Sequence, residues 1–530
     1  MDGRADTHHA DRLSGDVMPY DYKPFPYTAP PGLTAPEPRH KVVIVGAGPI
    51  GLALALELAQ HGMRSVVLDD NDVVSIGSRA ICWSKRSLEI LDRLGIGETC
   101  AEKGVTWKIG RTYHGDRELF NFDLLPEEGH KMPAFVNLQQ YYVEQFLAEA
   151  ALASDLIELR FKNKVSNIAQ NGECVTVSVD TPDGSYQVEA EYLVACDGAR
   201  SPIRNMMGLD FDGELFEERF LIADIEMQAE TPPERWFWFE PTFHPGQSAL
   251  MHKQPDNIYR IDLQLGWDAD PEAEKQPEVV IPRIEKVVGH GDFRLDWVSV
   301  YSFQCRRLER FVHNRVVFAG DSAHVVSPFG ARGGNGGMQD VDALGWRLAG
   351  LMRGDAGLAI LEDYNTERVH GADENIFHSA GATKFMSPAD GPEREERDRI
   401  LAQAATDPEA RSRINSGRLS VPCVYPLQGA PDGANLPDAT RPGSVALDAP
   451  QGDGWLLNRL GGGMKLLCIG CSVETDVDTV SADLNDFVAR RYLGEAKQAV
   501  YLIRPDQVIA ARWIDPKPAE IDAALASIWR

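Results

Sequence analysis

Long apolar runs are missing from this 530-residue chain. No stretch of about 18 apolar residues occurs, so no helix in it is expected to span a bilayer. Basic charge is also scarce: 53 Lys and Arg stand against 80 Asp and Glu, a formal net charge of −27. A nucleic-acid partner needs a basic surface to neutralise phosphate, so that class is excluded. Attraction to an anionic membrane surface is disfavoured for the same reason. Cysteine is sparse, with eight spread over the whole length. That is too few and too scattered for a disulfide framework. No metal site is expected. The N-terminal residues lack a basic patch followed by an apolar stretch, so no secretory signal is expected and the cytoplasm is the default compartment.

What is present reads as a multidomain globular protein, because 530 residues exceed what a single hydrophobic core supports. Residues 1–39 lack periodicity, end in a Pro/Tyr-rich stretch, and are expected to be extended over the first domain. From Lys41 the pattern changes. KVVIVGAGPIGLALALELAQHGMRSVVLDDN reads as a buried strand, a glycine turn, a helix and a second buried strand, the opening of a parallel βαβ unit. Residues 209–301 hold alternating segments: Tyr259, Ile261, Leu263 and Leu265 share one face, Arg260, Asp262 and Gln264 the other. They are expected to form a mostly antiparallel β domain inserted between the two parts, 40–208 and 302–420, of a discontinuous first domain. Residues 440–530 read as a third, small α/β domain. No internal repeat is visible.

Three motifs carry the chemistry. Gly46-Ala47-Gly48-Pro49-Ile50-Gly51 lies between strand and helix. There glycines permit a tight turn and bring a pyrophosphate onto the helix N-terminus. The next strand ends in Asp69, placed to accept from a ribose hydroxyl. The second motif, Cys196-Asp197-Gly198-Ala199-Arg200-Ser201 followed by Arg204, also ends a buried strand. In isolation an Asp-Gly pair is simply a turn. The third is Gly320-Asp321-Ser322-Ala323-His324 running into Pro328-Phe329-Gly330-Ala331-Arg332-Gly333-Gly334-Asn335-Gly336-Gly337. A carboxylate at a strand end can hold a ribityl or ribose hydroxyl. The glycine run then exposes backbone amides at a helix start, where they stabilise negative charge.

With these motifs in this order and spacing over Val42 to Leu351, the sequence resembles the flavoprotein aromatic hydroxylases of the para-hydroxybenzoate hydroxylase fold. Within them it resembles the phenol-hydroxylase-like branch that includes 3-(3-hydroxyphenyl)propionate and polyketide hydroxylases. The C-terminal YLIRPDQVIAARW is similar to the "RPDG…AWR" of that branch's thioredoxin-like domain. The resemblance implies an α/β protein: a Rossmann-like FAD-binding domain, an inserted antiparallel β substrate domain and a C-terminal thioredoxin-like domain. It implies FAD-dependent hydroxylation of an aromatic, phenolic small molecule with NAD(P)H and dioxygen through a flavin C4a-hydroperoxide. By the same resemblance Gly46, Gly48, Gly51 and Asp69 bind the ADP half of FAD, Arg79 approaches the pyrophosphate, and Gln140 contacts the flavin. Asp197 touches FAD and the pyridine nucleotide, and Asp321 holds the ribityl side. Pro328 lines the oxygen site, and Gly334, Asn335 and Gly336 face the isoalloxazine; Pro328 and Asn335 are the candidate catalytic positions. Two departures stand out: Asp70 follows the ribose acid where a basic residue is common, and Ala331-Arg332-Gly333-Gly334 replaces the usual Gly-Gln-Gly before the Asn.

For the substrate, Trp236, Trp238, His252, Tyr259 and Arg332 are the candidate lining residues, although aromatics in a β domain are more often core. Arg332 either steers an acidic substrate or caps its loop. Arg235-Trp236-Phe237-Trp238-Phe239-Glu240-Pro241 resembles the Trp-x-Trp-x-Ile-Pro of flavin halogenases, with Glu240 breaking it. Cys468-Ile469-Gly470-Cys471 has redox-pair spacing, but Cys468 falls within a strand rather than at a helix N-terminus, which favours a structural role. No flavin motif lies beyond Asn335, so a chain ending near Leu419 is expected to retain FAD. No second dinucleotide-binding unit is visible, so the nicotinamide cofactor is expected to bind transiently; a homodimer is an open option. Two alternatives stay open: a halogenase or non-hydroxylating FAD oxidoreductase, and a flavin-binding regulatory protein.

Overall fold

The computed structural model describes residues 20–530, except 78, 267, 389–390, 415–418, 434 and the side chains of 217 and 218. Of the expected N-terminal segment, residues 1–19 therefore lie outside the described part. Its remainder is pinned: Phe25 stacks on Phe161 with ring centroids 4.6 Å apart, and the Phe25 amide donates to Asp72 O at 2.6 Å.

Strand β1 (His40–Val45), helix α1 (Pro49–Gln60) and strand β2 (Ser65–Leu68) form the first βαβ unit. Here β1 runs parallel to β2 on one side and to β3 (Gly184–Ala195) on the other. The parallel sheet continues to Ile157–Arg160 beyond β2 and to Val316–Phe318 beyond β3. Strands buried on both faces must be apolar throughout, and Val42, Val43 and Ile44 are fully buried. Helix α1 is apolar nearly all round because it sits between this sheet and two helices, α2 (Gln140–Leu152) among them.

The second large sheet has eight strands. Its centre is β4 (Asp212–Glu226), β5 (Arg235–Phe239), β6 (Ser248–Lys253) and β7 (Ile258–Leu265), in the spatial order β4-β7-β6-β5. Beyond β4 comes Arg294–Arg307; beyond β5 come Ile109–His114 and Arg117–Asp123, drawn from far earlier in the chain. Neighbours are antiparallel except β5, which runs parallel to Ile109–His114. The alternation in β7 is real, yet all eight of its residues are buried. Tyr259, Ile261, Leu263 and Leu265 pack with Leu221, Ala223 and the helix Pro277–Val288. Arg260, Asp262 and Gln264 face the opposite way, toward the first sheet's loops.

Helices α3 (Gly333–Arg353) and α4 (Ala359–Met386) pack on each other, and α3 also packs on α1. A C-terminal sheet of four strands, ordered Thr479–Ser481, Lys465–Ile469, Ala499–Ile503, Ile509–Trp513, carries the helix Pro518–Ile528. The architecture is thus α/β, with a Rossmann-like parallel unit under an antiparallel layer. No helix among the described residues is long and apolar enough to cross a membrane.

Candidate functional site

The three glycines of the first motif have separate reasons to be glycine. Gly46 has φ +104°, and a Cβ there would stand 2.5 Å from Cys196 O. A Cβ on Gly51 would meet Gly46 O at 1.9 Å, so the helix can approach the turn only without one. Gly48 caps α1 and a Cβ on it would meet nothing within 4 Å. The first and third glycines are required by packing, whereas the second leaves an open cradle at a helix N-terminus, suited to a phosphate. Asp69 ends β2 beside it, accepting from the amides of Ala47 (2.5 Å) and Asn71 (2.8 Å). Burial raises its carboxyl to about 6, against those two hydrogen bonds.

The second and third motifs meet next to this turn. Asp197 accepts from Ile203 N at 3.0 Å, while its buried Oδ1 has no hydrogen-bond partner. Arg204 joins the motifs by donating to Ala199 O (2.7 Å) and Ser322 O (3.1 Å). Asp321 is exposed to solvent, yet the enclosing protein raises its carboxyl, with His324 and Arg79 pulling the other way. That combination describes a carboxylate on the floor of a cleft. His324 itself is buried and engaged: its Nε2 lies 2.7 Å from Asp340 Oδ2, and Arg368 Nε lies 2.6 Å from Asp340 Oδ1. Burial opposes ionisation of Asp340, but His324 and Arg368 outweigh it and hold the carboxyl at about 2. This support was not visible in the sequence, since Asp340 and Arg368 belong to no motif.

Arg79 stands exposed on a loop that is braced from three directions. From α2, Glu144 accepts from Ser75 N (2.5 Å) and Oγ (2.7 Å); from the N-terminal segment, the Tyr22 hydroxyl accepts from Gly77 N (3.2 Å). From the second sheet, Arg260 Nη1 donates to Arg79 O at 2.6 Å. Gln140, expected on the flavin, is part of this bracing. Its amide accepts from Ala80 N (3.3 Å) and donates to Glu144 Oε1 (2.7 Å), so its side chain holds the loop.

At the start of α3, protein groups engage both Asn335 and Arg332. Asn335 is 2% exposed, and its amide is fully committed to protein: Oδ1 accepts from Ser84 N (2.9 Å) and Oγ (3.1 Å), while Nδ2 donates to Cys82 O (2.9 Å) and Ala331 O (2.6 Å). It offers no side-chain group to a flavin, which leaves the helix-start backbone at Gly334 and Gly336. Arg332 is buried and donates to Asn375 Oδ1 on α4 at 3.1 Å. It holds the loop instead of reaching a substrate. Ala331, standing where the resembled family has glycine, has φ +52°, a conformation that costs a residue with a side chain about 1–2 kcal/mol.

Beyond this loop Pro328 is exposed and Phe329 is buried against the second sheet. Here β5 divides by parity. Arg235, Phe237 and Phe239 line a pocket with Phe329 and Phe385. Trp236 and Trp238 point to the far face, where Trp238 stacks on Tyr113 at 5.4 Å. Tyr259 is on that far face too, its hydroxyl donating to Ala229 O at 2.9 Å. Trp236, Trp238 and Tyr259, expected to line the substrate pocket, thus do not line this one, where Arg235, Phe237 and Phe239 of β5 do. His252 is the cross-strand neighbour of Arg235 and shares its face. Cys468 and Cys471 lie far from this cleft as free thiols, both raised, Cys468 to about 11 chiefly by burial.

A family pattern described as an FAD binding domain matches residues 39–378. The chain is 27% identical over 527 residues to a 3-(3-hydroxy-phenyl)propionate/3-hydroxycinnamic acid hydroxylase of Mycolicibacterium smegmatis, covering 92% of this chain and 93% of the relative. It is 30% identical over 501 residues to a 12-dehydrotetracycline 5-monooxygenase/anhydrotetracycline 6-monooxygenase of Streptomyces rimosus, covering 89% and 95%. In fold it is similar to the flavin-dependent monooxygenase PieE, solved with FAD and substrate, at a TM-score of 0.78 and 20% identity, covering 93% and 100%.

Proposed function

Since the chain belongs to the FAD-binding-domain family whose pattern spans residues 39–378, we propose that it is an FAD-dependent monooxygenase that hydroxylates a phenolic small molecule using NAD(P)H and dioxygen. The observation that carries this reading is convergence. Three motifs from separate stretches of chain meet, and Phe329, in the loop that continues the third, lines an aromatic pocket against the second sheet.

The residues present fit the dinucleotide. The open cradle at Gly48 and the start of α1 would hold the pyrophosphate, with Arg79 neutralising it. Asp69 would accept from the adenosine ribose and Asp321 from the ribityl chain, each gaining a donor that favours the ionised carboxylate which its surroundings disfavour. Asp197 offers an unused buried oxygen to the same ligand or to the pyridine nucleotide. The backbone amides of Gly334 and Gly336, at the positive end of α3, would face the flavin's electron-rich edge. When bound, FAD would supply the redox chemistry, with NAD(P)H as the hydride source and dioxygen as the oxidant. The chain's own tasks are to hold the ring between Phe237, Phe239, Phe329 and Phe385 and to exclude water from that pocket.

The test is incubation of the purified yellow protein with NADH, labelled dioxygen and a panel of phenols, with products weighed by mass spectrometry. One oxygen atom from dioxygen should appear in the product. A label arriving from water, or a product formed only with halide, would overturn the reading.

A further inference from the structure

The face that the second sheet turns toward the Arg79 loop carries a row of charge. Asp224, Arg260, His252 and Arg235 are successive cross-strand partners on β4, β7, β6 and β5, so their side chains lie side by side. Most of the row is internally satisfied. Arg260 Nε lies 3.0 Å from Asp224 Oδ1, and its remaining reach goes to Arg79 O. His252 is buried, and burial together with Arg235 and Arg260 holds it well below its usual value, hence neutral.

Arg235 is the exception. It lines the aromatic pocket, and among the described residues no hydrogen bond or ion pair engages its guanidinium. Its guanidinium lies over the ring of Phe237, 5.4 Å from the ring centre. The carboxylate that acts on it is Asp262, one row further, buried and with Oδ1 lacking any partner. Arg235 is half-buried with no carboxylate paired to it, and burial pulls it below its ordinary value. A planar fork of donors is matched by a carboxylate. Residues two apart on a strand are separated by about 6.6 Å, so Arg235 and Phe237 span the length of a ring bearing a short acid chain.

We propose that Arg235 is the anion-recognition residue of this pocket, and that its ligand is a small aromatic acid whose carboxylate pairs with the guanidinium while the ring lies against Phe237, Phe239 and Phe329. The proposal rests on the reading of this pocket as the substrate site and narrows that substrate to an acidic one.

Binding to the FAD-loaded protein is measured through perturbation of the flavin absorbance. The probes are matched pairs: 3-hydroxybenzoate, 3-hydroxyphenylacetate and 3-(3-hydroxyphenyl)propionate, each against its carboxamide. In the natural chain at least one acid should bind about tenfold or more tightly than its amide, the size of one charge-assisted hydrogen-bonded contact. Arg235→Gln should erase that preference with FAD content unchanged, and Arg235→Lys should retain part of it. No preference for any acid in the natural chain, or a preference that survives Arg235→Gln, overturns the assignment. The two readings separate cleanly. Labelled oxygen entering neutral phenols with no acid preference removes Arg235 and leaves the monooxygenase. An Arg235-dependent acid preference with no oxygen transfer to any ring does the reverse.

Discussion

Asp69 accepts from two backbone amides while burial holds its carboxyl near 6. A ribose hydroxyl donates to the ionised form, so FAD binding must favour loss of the proton. The folded value lies above the ordinary 3.8; in the apoprotein, therefore, stability from this group is present at low pH and lost as pH rises toward 6. Ligand affinity runs the opposite way. FAD affinity should be flat above about pH 7 and weaken by up to about tenfold per pH unit below about 6, as followed by flavin fluorescence; Asp69→Asn should bind weakly with no such slope. A natural chain showing no slope would remove Asp69 from the ribose. The glycines provide a second pair. Gly48→Val projects into open space from an extended backbone, so the apoprotein should melt close to the natural chain yet lose FAD. Gly51→Ala places a Cβ 1.9 Å from Gly46 O and should lower the melting temperature as well. Equal melting of both variants would contradict the packing argument.

At the scale of elements, Asn335 fastens the start of α3 to the strand Cys82–Ser84 and to the strained Ala331 turn. Asn335→Asp would replace a donor with a carboxylate oxygen facing two carbonyls in a buried position. The expected loss is about 3–5 kcal/mol of unfolding free energy, the usual penalty of an uncompensated buried charge, read by denaturant titration of the apoprotein. A variant of unchanged stability that merely slows flavin reduction would instead restore a direct flavin role. The second sheet teaches a related point. Polar Arg260, Asp262 and Gln264 alternate with apolar neighbours as they would on a half-solvated strand, but their face roofs the cleft and is buried.

The whole molecule is locked by charges that no motif announces. Arg504 pairs with Glu367 (2.7 Å) and Asp506 (2.5 Å), Arg347 with Glu367 (2.7 Å), and Arg86 with Asp342 (2.5 Å) and Gln507 (2.8 Å). Trp346 donates to Asp506 (3.1 Å), and Trp529 sits edge-on to it. The Arg504-Pro505-Asp506-Gln507 turn is thus the plug between the C-terminal sheet and α3, α4 and the helix Lys85–Arg93. These contacts argue against the expectation that a chain ending near Leu419 keeps FAD. Truncation would leave the Arg347–Glu367 and Arg86–Asp342 pairs in place but remove Arg504 from Glu367, Asp506 from Trp346 and Gln507 from Arg86, opening the buried face of α3 that they cover. The fragment should be insoluble or colourless on expression; a folded, yellow fragment would refute this. Arg504→Ala in the full chain should destabilise by about 3–5 kcal/mol.

The sequence by itself determined what is local. A turn needing positive φ at Gly46, a helix opening at Gly48, and strands ending in Asp69, Asp197 and Asp321 all follow from backbone sterics and short-period hydrophobicity. What only the tertiary structure decided depends on partners distant in the chain. Period-two alternation in Arg235–Phe239 shows that two faces exist but not which one meets Phe329. Whether an amide such as that of Gln140 or Asn335 is available to a ligand depends on which protein atoms have already taken its hydrogen bonds. An arginine reads alike whether it is paired, as Arg504 is with Glu367, or left waiting in a pocket, as Arg235 is, because the opposing charge comes from another element.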